Sequence, residues 1–192
     1  MPSRLRRHDE FGHVHFTTFC CFRRLPFFRH QLVRDAFVDS MKAVRAKLPI
    51  RWIGYVVMPE HVHILLLPQA RGSDVVVPIS TVLHDLKGLG GRACKEALRT
   101  VWRGRRSLGA RRLDAWALGA GPKPFWKPRG HDFNVTNEAS VLQKLDYLHR
   151  NPVRRGLVDS PERWRWSSFR FYERGDDSMI GMDWDGGFPI VL

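Results

Sequence analysis

The chain has 192 residues, 43% of them hydrophobic, which is enough to bury the core of a single domain without disulfide bonds. Its 32 lysine and arginine residues outnumber 19 acidic residues, and the resulting net charge of +13 favours a polyanionic partner, nucleic acid before an acidic membrane surface. Three cysteines argue against a paired disulfide framework, and no run approaches the roughly 18 apolar residues of a membrane span, so we expect a cytoplasmic protein with no membrane partner.

Arginine dominates this excess of charge and alternates with aromatic residues. Guanidinium groups pair with phosphates and aromatic rings stack on bases, so the mixture is suited to nucleic acid. A basic, solvated surface would have the same composition. The stretches concerned are FCCFRRLPFFR (19–29), VWRGRR (101–106) and RWRWSSFRFY (163–172).

The first part of the chain alternates predicted strands and helices. Residues 13–22 are rich in β-branched and aromatic side chains, which indicates a strand, and residues 29–48 have apolar positions at helical spacing up to a proline. Two further β-rich runs, 50–58 and 61–68, are separated only by a Pro-Glu dipeptide and therefore predict a hairpin.

The middle of the chain is less regular. Residues 79–100 have helical spacing that three glycines weaken, and 103–131 are rich in arginine, glycine and proline. We interpret the latter as a long basic loop, with a short strand near 124–135. Charge leaves open whether the loop around 103–123 is an added arm that contacts nucleic acid or a disordered insertion.

A third helix is predicted over residues 138–150, with Thr136 or Asn137 as its N-cap and its end before Pro152. The order of elements, βαββα(β)α, fits the α+β class: a ferredoxin-like antiparallel sheet with helices on one face. A basic, turn-rich C-terminal extension follows the third helix, and residues 173–192 form a C-terminal tail.

Two histidines interrupt the apolar run of the predicted hairpin. His61 and His63 project to one face of the strand, about 7 Å apart, where they can share a divalent ion or flank a phosphate. A surface or hydrogen-bonded core pair has the same spacing. Glu60 projects to the opposite face, so we interpret it as a turn residue. His13 and His15 repeat the spacing next to a charged tail, and we expect them to be exposed and incidental.

One tyrosine lies on a polar helix face. On helix 138–150 the predicted apolar stripe is Val141, Leu142, Leu145 and Leu148, and Tyr147 falls roughly 145° from its centre. Gln143, Lys144 and Asn151 share that side. A phenol beside a cation can act as a nucleophile, and an exposed or interface tyrosine would look the same. Asn151 precedes a proline, an arrangement that also suits the N-cap of a short helix.

Three segments in order, YVVMPEHVHILLLP (55–68), LDYLHRNPVRRGLV (145–158) and WRWSSFRFY (164–172), resemble the REP-associated tyrosine transposases, single-tyrosine members of the HUH superfamily. HUH denotes histidine, hydrophobic residue, histidine. The resemblance covers about residues 10–172 and implies one HUH transposase-like catalytic domain over residues 1–172, with the HUH motif on a central strand.

The resemblance also implies an activity. His61 and His63 would bind Mg²⁺ or Mn²⁺, with Asn151 as the matching position for a further polar ligand. Tyr147 would attack a phosphate of single-stranded or hairpin DNA, form a 5′-phosphotyrosine link and free a 3′-OH for strand transfer. The protein would be nucleoid-associated and a monomer or homodimer. Candidate nucleic-acid-binding residues are Arg23, Arg24, Arg105, Arg106, Arg111, Arg112, Lys144, Arg150, Arg154 and Arg155.

Two other functions remain open at this point. A domesticated binder of DNA or RNA hairpins would keep the fold without cleaving, although it would need neither the histidine pair nor the tyrosine. A structural metal protein would unfold on chelation, whereas a metal-dependent nuclease would lose activity and keep its fold.

Overall fold

The computed structural model describes residues 13–70, 72, 75–103, 124–184 and 186. Within these residues four strands form one antiparallel sheet in the order β2-β3-β1-β4. This is the predicted ferredoxin-like arrangement, and β3 and β1 are its central strands. The strands are β1 (Val14–Cys20), β2 (Ile50–Val57), β3 (His61–Pro68) and β4 (His131–Val135).

Helices cover both faces of this sheet. Phe19 of β1 packs edge-on against Phe37, whereas Phe16 of the same strand packs against Tyr147. Residues three apart on a strand point to opposite faces, so the helices bearing these two partners lie on opposite sides. Helices α1 and α2 pack together on one face of the sheet, as predicted. Helix α3 forms an additional layer on the other face, which was not predicted. The helices are α1 (Gln31–Lys47), α2 (Ile79–Arg103), α3 (Glu138–Arg154) and α4 (Phe169–Arg174).

Helix α3 begins as predicted and ends later than predicted. Asn137 is its N-cap, and the side chain accepts a 2.8 Å hydrogen bond from the Ser140 N–H. Pro152 lies inside the last turn instead of beyond it. Proline lacks a backbone N–H, so the helix loses only one hydrogen bond at this position. Three residues later, the N–H of Arg155 still donates to the Asn151 carbonyl. Asn151 is therefore a residue within α3, and the alternative that it caps a short following helix is wrong.

Five aromatic rings of the arginine-rich stretches are buried rather than available for stacking: Phe19, Phe27, Phe28, Trp164 and Trp166. Phe27 and Phe28 belong to the core, and Trp164 and Trp166 enclose the guanidinium of Arg34, whose carbon lies 4.9 Å and 3.5 Å from their ring centroids. Burial lowers the pKa of Arg34 to about 10. These buried aromatic rings therefore stabilise the fold, so for them the stacking interpretation was wrong.

The described part of the C-terminal tail packs along β2. Ile180, Met182 and Trp184 are buried, and the Asp183 carboxylate accepts a 2.8 Å hydrogen bond from the Trp52 N–H. β4 is shorter than predicted, since residues 124–130 contribute only an isolated bridge from Trp126 to Cys21. Most of the predicted basic loop, residues 104–123, lies outside the described residues. No helix in the described ranges is both long and apolar enough to cross a bilayer.

Candidate active site

The two histidines of β3 converge on one point. His61 and His63 are only 7% and 6% exposed, and their Nε2 atoms are 3.0 Å apart. His63 lies opposite Thr18 of β1, on the α3 face of the sheet. Val62, between the two histidines in sequence, is fully buried on the other face. Two imidazoles thus share a small, enclosed position on a central strand.

The outer ring nitrogens have oxygen neighbours that orient the rings. His63 Nδ1 lies 2.7 Å from Thr18 Oγ1. His61 Nδ1 lies 3.2 Å from Glu60 Oε1, at an angle outside that of a hydrogen bond. The 3.0 Å contact between the two Nε2 atoms is a hydrogen bond when one of them carries the ring hydrogen. With both ring hydrogens on Nδ1, the two Nε2 lone pairs would be available to a shared cation, as in histidines that ligate a metal.

Both imidazoles are held neutral. Burial is the main reason that the pKa of His63 falls to about 3, and the neighbouring His61 lowers it further. The pKa of His61 is also lowered by burial, while Glu60 raises it and the cations of Arg155 and Arg24 lower it. Neutral imidazoles keep the lone pairs that a cation needs.

Glu60 lies in the β2–β3 turn, as predicted, but the prediction that its side chain points away from the histidine pair was wrong. It is 8% exposed, and its carboxylate accepts a 2.9 Å hydrogen bond from Arg155 of α3 as well as approaching His61. Strand alternation did not apply to it, because β3 begins one residue later, at His61. The only sequence signal was an acidic residue immediately before the histidine pair.

Tyr147 faces the histidine pair from α3. Its ring centroid lies 5.4 Å from that of His63, edge-on, and the side chain is 37% exposed. The predicted stripe holds α3 against the sheet at its buried members Val141, Leu145 and Leu148. The fourth member, Leu142, is 53% exposed, so the stripe is narrower than predicted.

A glycine of β2 lets α3 approach this closely. A Cβ at Gly54 would lie 2.5 Å from Leu145 Cδ2 and 3.1 Å from Leu148 Cδ1, both inside ordinary contact distance. The close approach brings the tyrosine within reach of the histidine pair.

Asn151, one turn after Tyr147, is 6% exposed, and its Nδ2 atom has no hydrogen-bond partner. An amide nitrogen donates hydrogen bonds, so this unpaired group would suit an oxygen acceptor such as a phosphate, whereas a cation would be held by the amide oxygen Oδ1. The 3.0 Å between the two Nε2 atoms suits adjacent ligands of an octahedral Mg²⁺, which at about 2.1 Å each lie about 3 Å apart. No group of three or more His, Cys, Asp or Glu side chains among the described residues is arranged for a metal. The residues that could hold an ion at this position are His61 and His63, together with the amide oxygen of the buried Asn151.

Four of the candidate nucleic-acid-binding cations lie around this site. The Arg154 guanidinium carbon is 5.8 Å from the Tyr147 ring centroid, and Lys144 Nζ is 5.2 Å from that of Phe16. Arg155 contacts Glu60, and Arg24 is close enough to His61 to affect its pKa.

The other predicted cations are placed differently. Arg24 and its neighbour Arg23 both have left-handed backbones, with φ of 54° and 51°, and Arg23 lies over the ring of Phe22. Arg150 pairs with Asp146 on the outer surface of α3. Arg105, Arg106, Arg111 and Arg112 lie outside the described residues.

The second histidine pair is not equivalent to the first. His15 is 1% exposed, and its Nδ1 lies 3.1 Å from both carboxylate oxygens of Asp132. The expected exposure is therefore wrong for His15. It follows that His15 is a structural residue on the α1–α2 face of β1, because Phe16, its neighbour, points to the α3 face.

The comparisons with known proteins confirm the resemblance to REP-associated tyrosine transposases. No family model matches the chain. It is 26% identical over 160 residues to the REP-associated tyrosine transposase of Escherichia coli K12, covering 82% of this chain and 74% of that protein. A Haemophilus influenzae protein that is provisionally named a REP-associated tyrosine transposase is 20% identical over 190 residues, covering 99% of this chain and 97% of that protein.

A solved structure shows the same fold. The REP-associated tyrosine transposase bound to a REP hairpin has a TM-score of 0.60 to this chain at 23% identity, with 99% of each chain covered.

Proposed function

We propose that this protein is a transposase-type enzyme that binds single-stranded DNA beside a hairpin, cleaves it and transfers the strand, with Tyr147 as the nucleophile. The observation that carries the proposal is the edge-on contact between Tyr147 and His63, in a chain similar to REP-associated tyrosine transposases. The hairpin substrate is proposed because the solved neighbour is bound to a REP hairpin.

The choice of nucleophile is supported by elimination. The chain has three tyrosines, all within the described residues. Tyr55 is 1% exposed, and the Tyr172 hydroxyl donates to the Ile53 carbonyl. Burial raises the pKa of both phenols above the ordinary value. Only Tyr147 combines an accessible ring with a position beside the histidine pair.

In the proposed reaction the Tyr147 oxygen attacks phosphorus, and the bond from phosphorus to the 3′ oxygen breaks. The phenol gives up its proton to water, and the departing 3′ oxygen takes one up. The 5′-phosphotyrosine link preserves the phosphodiester energy, so a second 3′-OH can attack it and restore a DNA strand without an external energy source.

We propose that His61, His63 and Asn151 hold Mg²⁺ or Mn²⁺. When bound, such an ion polarises the scissile phosphate as a Lewis acid. The 2.7 Å contact of Thr18 Oγ1 with Nδ1 holds the His63 ring in the orientation that directs Nε2 toward the ion. The Glu60 carboxylate, 3.2 Å from His61 Nδ1, acts on the His61 ring through its charge.

Cations around the pair complete the proposed site. Arg155 neutralises Glu60, which would otherwise repel the DNA backbone. Arg24, Lys144 and Arg154 are proposed to bind the phosphates on either side of the scissile bond.

The test compares two Tyr→Phe variants on a labelled single-stranded hairpin DNA with Mg²⁺. Tyr147→Phe should abolish cleavage while retaining binding in a mobility-shift assay. Tyr55→Phe, which removes a buried hydroxyl with no partner, should cleave like the wild type. Full cleavage by Tyr147→Phe would remove this residue from the mechanism. Tight binding with no cleavage by the wild type would instead favour a non-cleaving hairpin binder.

A further inference from the structure

An aromatic surface extends from the candidate active site to the edge of the sheet. Phe133 of edge strand β4 is 60% exposed and lies directly opposite Phe16 in the β1–β4 register. Because paired residues of neighbouring antiparallel strands share a face, both rings lie on the face that bears His63 and Tyr147.

Phe16 connects the exposed ring to the reacting groups. Its ring is stacked on that of His63, with centroids 5.5 Å apart and an interplanar angle of 12°. The Tyr147 ring meets Phe16 edge-on at 6.1 Å. Phe16 therefore contacts both reacting groups, and Phe133 is its partner on the neighbouring strand.

A single cation lies beside both phenylalanines. Lys144 Nζ of α3 is 5.2 Å from the Phe16 centroid and 5.5 Å from the Phe133 centroid. Helix α3 packs over β2 and β3, which leaves Phe133 uncovered at the far edge of the sheet. An exposed ring beside a positive charge has two features that bind single-stranded nucleic acid, a stacking surface for the base and a cation for its phosphate.

We propose that Phe133 and Lys144 form a binding site for one unpaired DNA base next to the phosphate that reaches Tyr147. This rests on the proposed function, because it assumes that single-stranded DNA occupies the site. The net charge of +13 and the position of Lys144 favour this polyanion over a partner that would use the apolar ring alone. The Phe133 ring thereby fixes how the strand enters the site.

The test uses protein that carries Tyr147→Phe, so that DNA binds but no chemistry is required. Single-stranded hairpin oligonucleotides carry 2-aminopurine at each position flanking the cleavage site in turn. Stacking should quench the fluorescence at one of these positions. Adding Phe133→Ala should remove that quenching and weaken binding by roughly tenfold, whereas Phe133→Trp should retain both.

Leu142→Ala is the matched control. Leu142 is similarly exposed at 53%, but it lies on the side of α3 that faces Phe171 of α4 and Trp184 of the C-terminal tail. Binding and quenching should be unchanged in this variant. An equal loss with Leu142→Ala would show that the Phe133 effect is not specific.

Three results would overturn the proposal: unchanged affinity and quenching in Phe133→Ala, equal quenching when the probe base is paired in a duplex, or preferential binding of an RNA of the same sequence. Failure of the proposed function gives a different pattern. Normal cleavage by Tyr147→Phe would refute the nucleophile and leave the quenching result intact, because quenching does not depend on cleavage.

Discussion

Replacing Gly54 by alanine should displace the helix that carries Tyr147. The new Cβ would lie 2.5 Å from Leu145 Cδ2. Carbon atoms in contact lie about 3.5–4.0 Å apart, so the surfaces must separate by about 1 Å. Leu145 is 6% exposed and Leu148 is fully buried, so neither side chain can simply turn into solvent.

The expected cost is roughly 1–3 kcal/mol, the usual range for overpacking a core. For a chain of this size, each kcal/mol lowers the melting temperature by about 2–4 °C, so a decrease of roughly 4–8 °C is expected for the middle of that range. A displacement of about 1 Å between nucleophile and phosphate can slow the chemistry roughly 100-fold. Cleavage should therefore fall more than DNA binding does.

The assays are thermal unfolding by circular dichroism and single-turnover cleavage of hairpin DNA. Gly88→Ala in α2 is the control, because the nearest heavy atom to its Cβ is 3.8 Å away and alanine favours a helix by about 1 kcal/mol. Leu145→Ala should relieve the overlap, so the double variant should be less destabilised than the two single changes predict. If Gly54→Ala has the melting temperature and the cleavage rate of the wild type, then α3 does not pack against β2 as closely as described.

Three further outcomes are expected. His61→Ala should lose metal-dependent cleavage without unfolding, as measured by cleavage across a Mg²⁺ titration and by circular dichroism, and unfolding of wild-type protein by a chelator would instead indicate a structural metal. Glu60→Gln should weaken activity at limiting Mg²⁺ more than at saturating Mg²⁺, because Glu60 approaches His61 Nδ1; an equal loss at all concentrations would contradict this role. Burial lowers the pKa of His149 from 6.5 to about 4, although Asp146 raises it, so the unfolded state binds more protons below pH 6.5 and stability should fall as the pH drops toward 4. Urea unfolding at pH 7.5 and 5 should show that His149→Gln removes about 2 kcal/mol of this decrease, and an unchanged decrease would contradict the assignment.

Local patterns predicted the elements that carry the site. Alternation and the Pro-Glu link predicted the β2–β3 hairpin, and helical spacing placed Tyr147 off the apolar stripe of α3. These features depend on neighbours in sequence, so they can be derived without a fold. The family resemblance linked the histidine motif to the tyrosine motif, and from it we could also predict that Tyr147 faces His63.

The rest of the site depends on contacts distant in sequence. Thr18 and Phe133 became visible only with the register of β1 against β3 and β4, which no local pattern determines. The burial of His15 depends on Asp132, 117 residues away. Glu60 lies in a turn, where alternation does not determine the direction of a side chain.

Aromatic residues show the same limit. Trp164 and Trp166 lie in a stretch whose composition is typical of a nucleic-acid surface. In the structure they instead enclose the guanidinium of Arg34. Phe133, which is exposed beside the site, lies outside the arginine-rich stretches. Composition predicted a nucleic-acid partner for the chain, but it could not tell which rings remain exposed.

The central claim is that Tyr147 becomes covalently attached to DNA. Wild-type protein should be incubated with single-stranded hairpin DNA and Mg²⁺, and the adduct mapped by intact mass and peptide mass spectrometry. The proposed mechanism predicts one DNA fragment attached through its 5′ phosphate to Tyr147, and no adduct in Tyr147→Phe. Cleavage without any covalent adduct, or an adduct on Tyr55 or Tyr172, would contradict it.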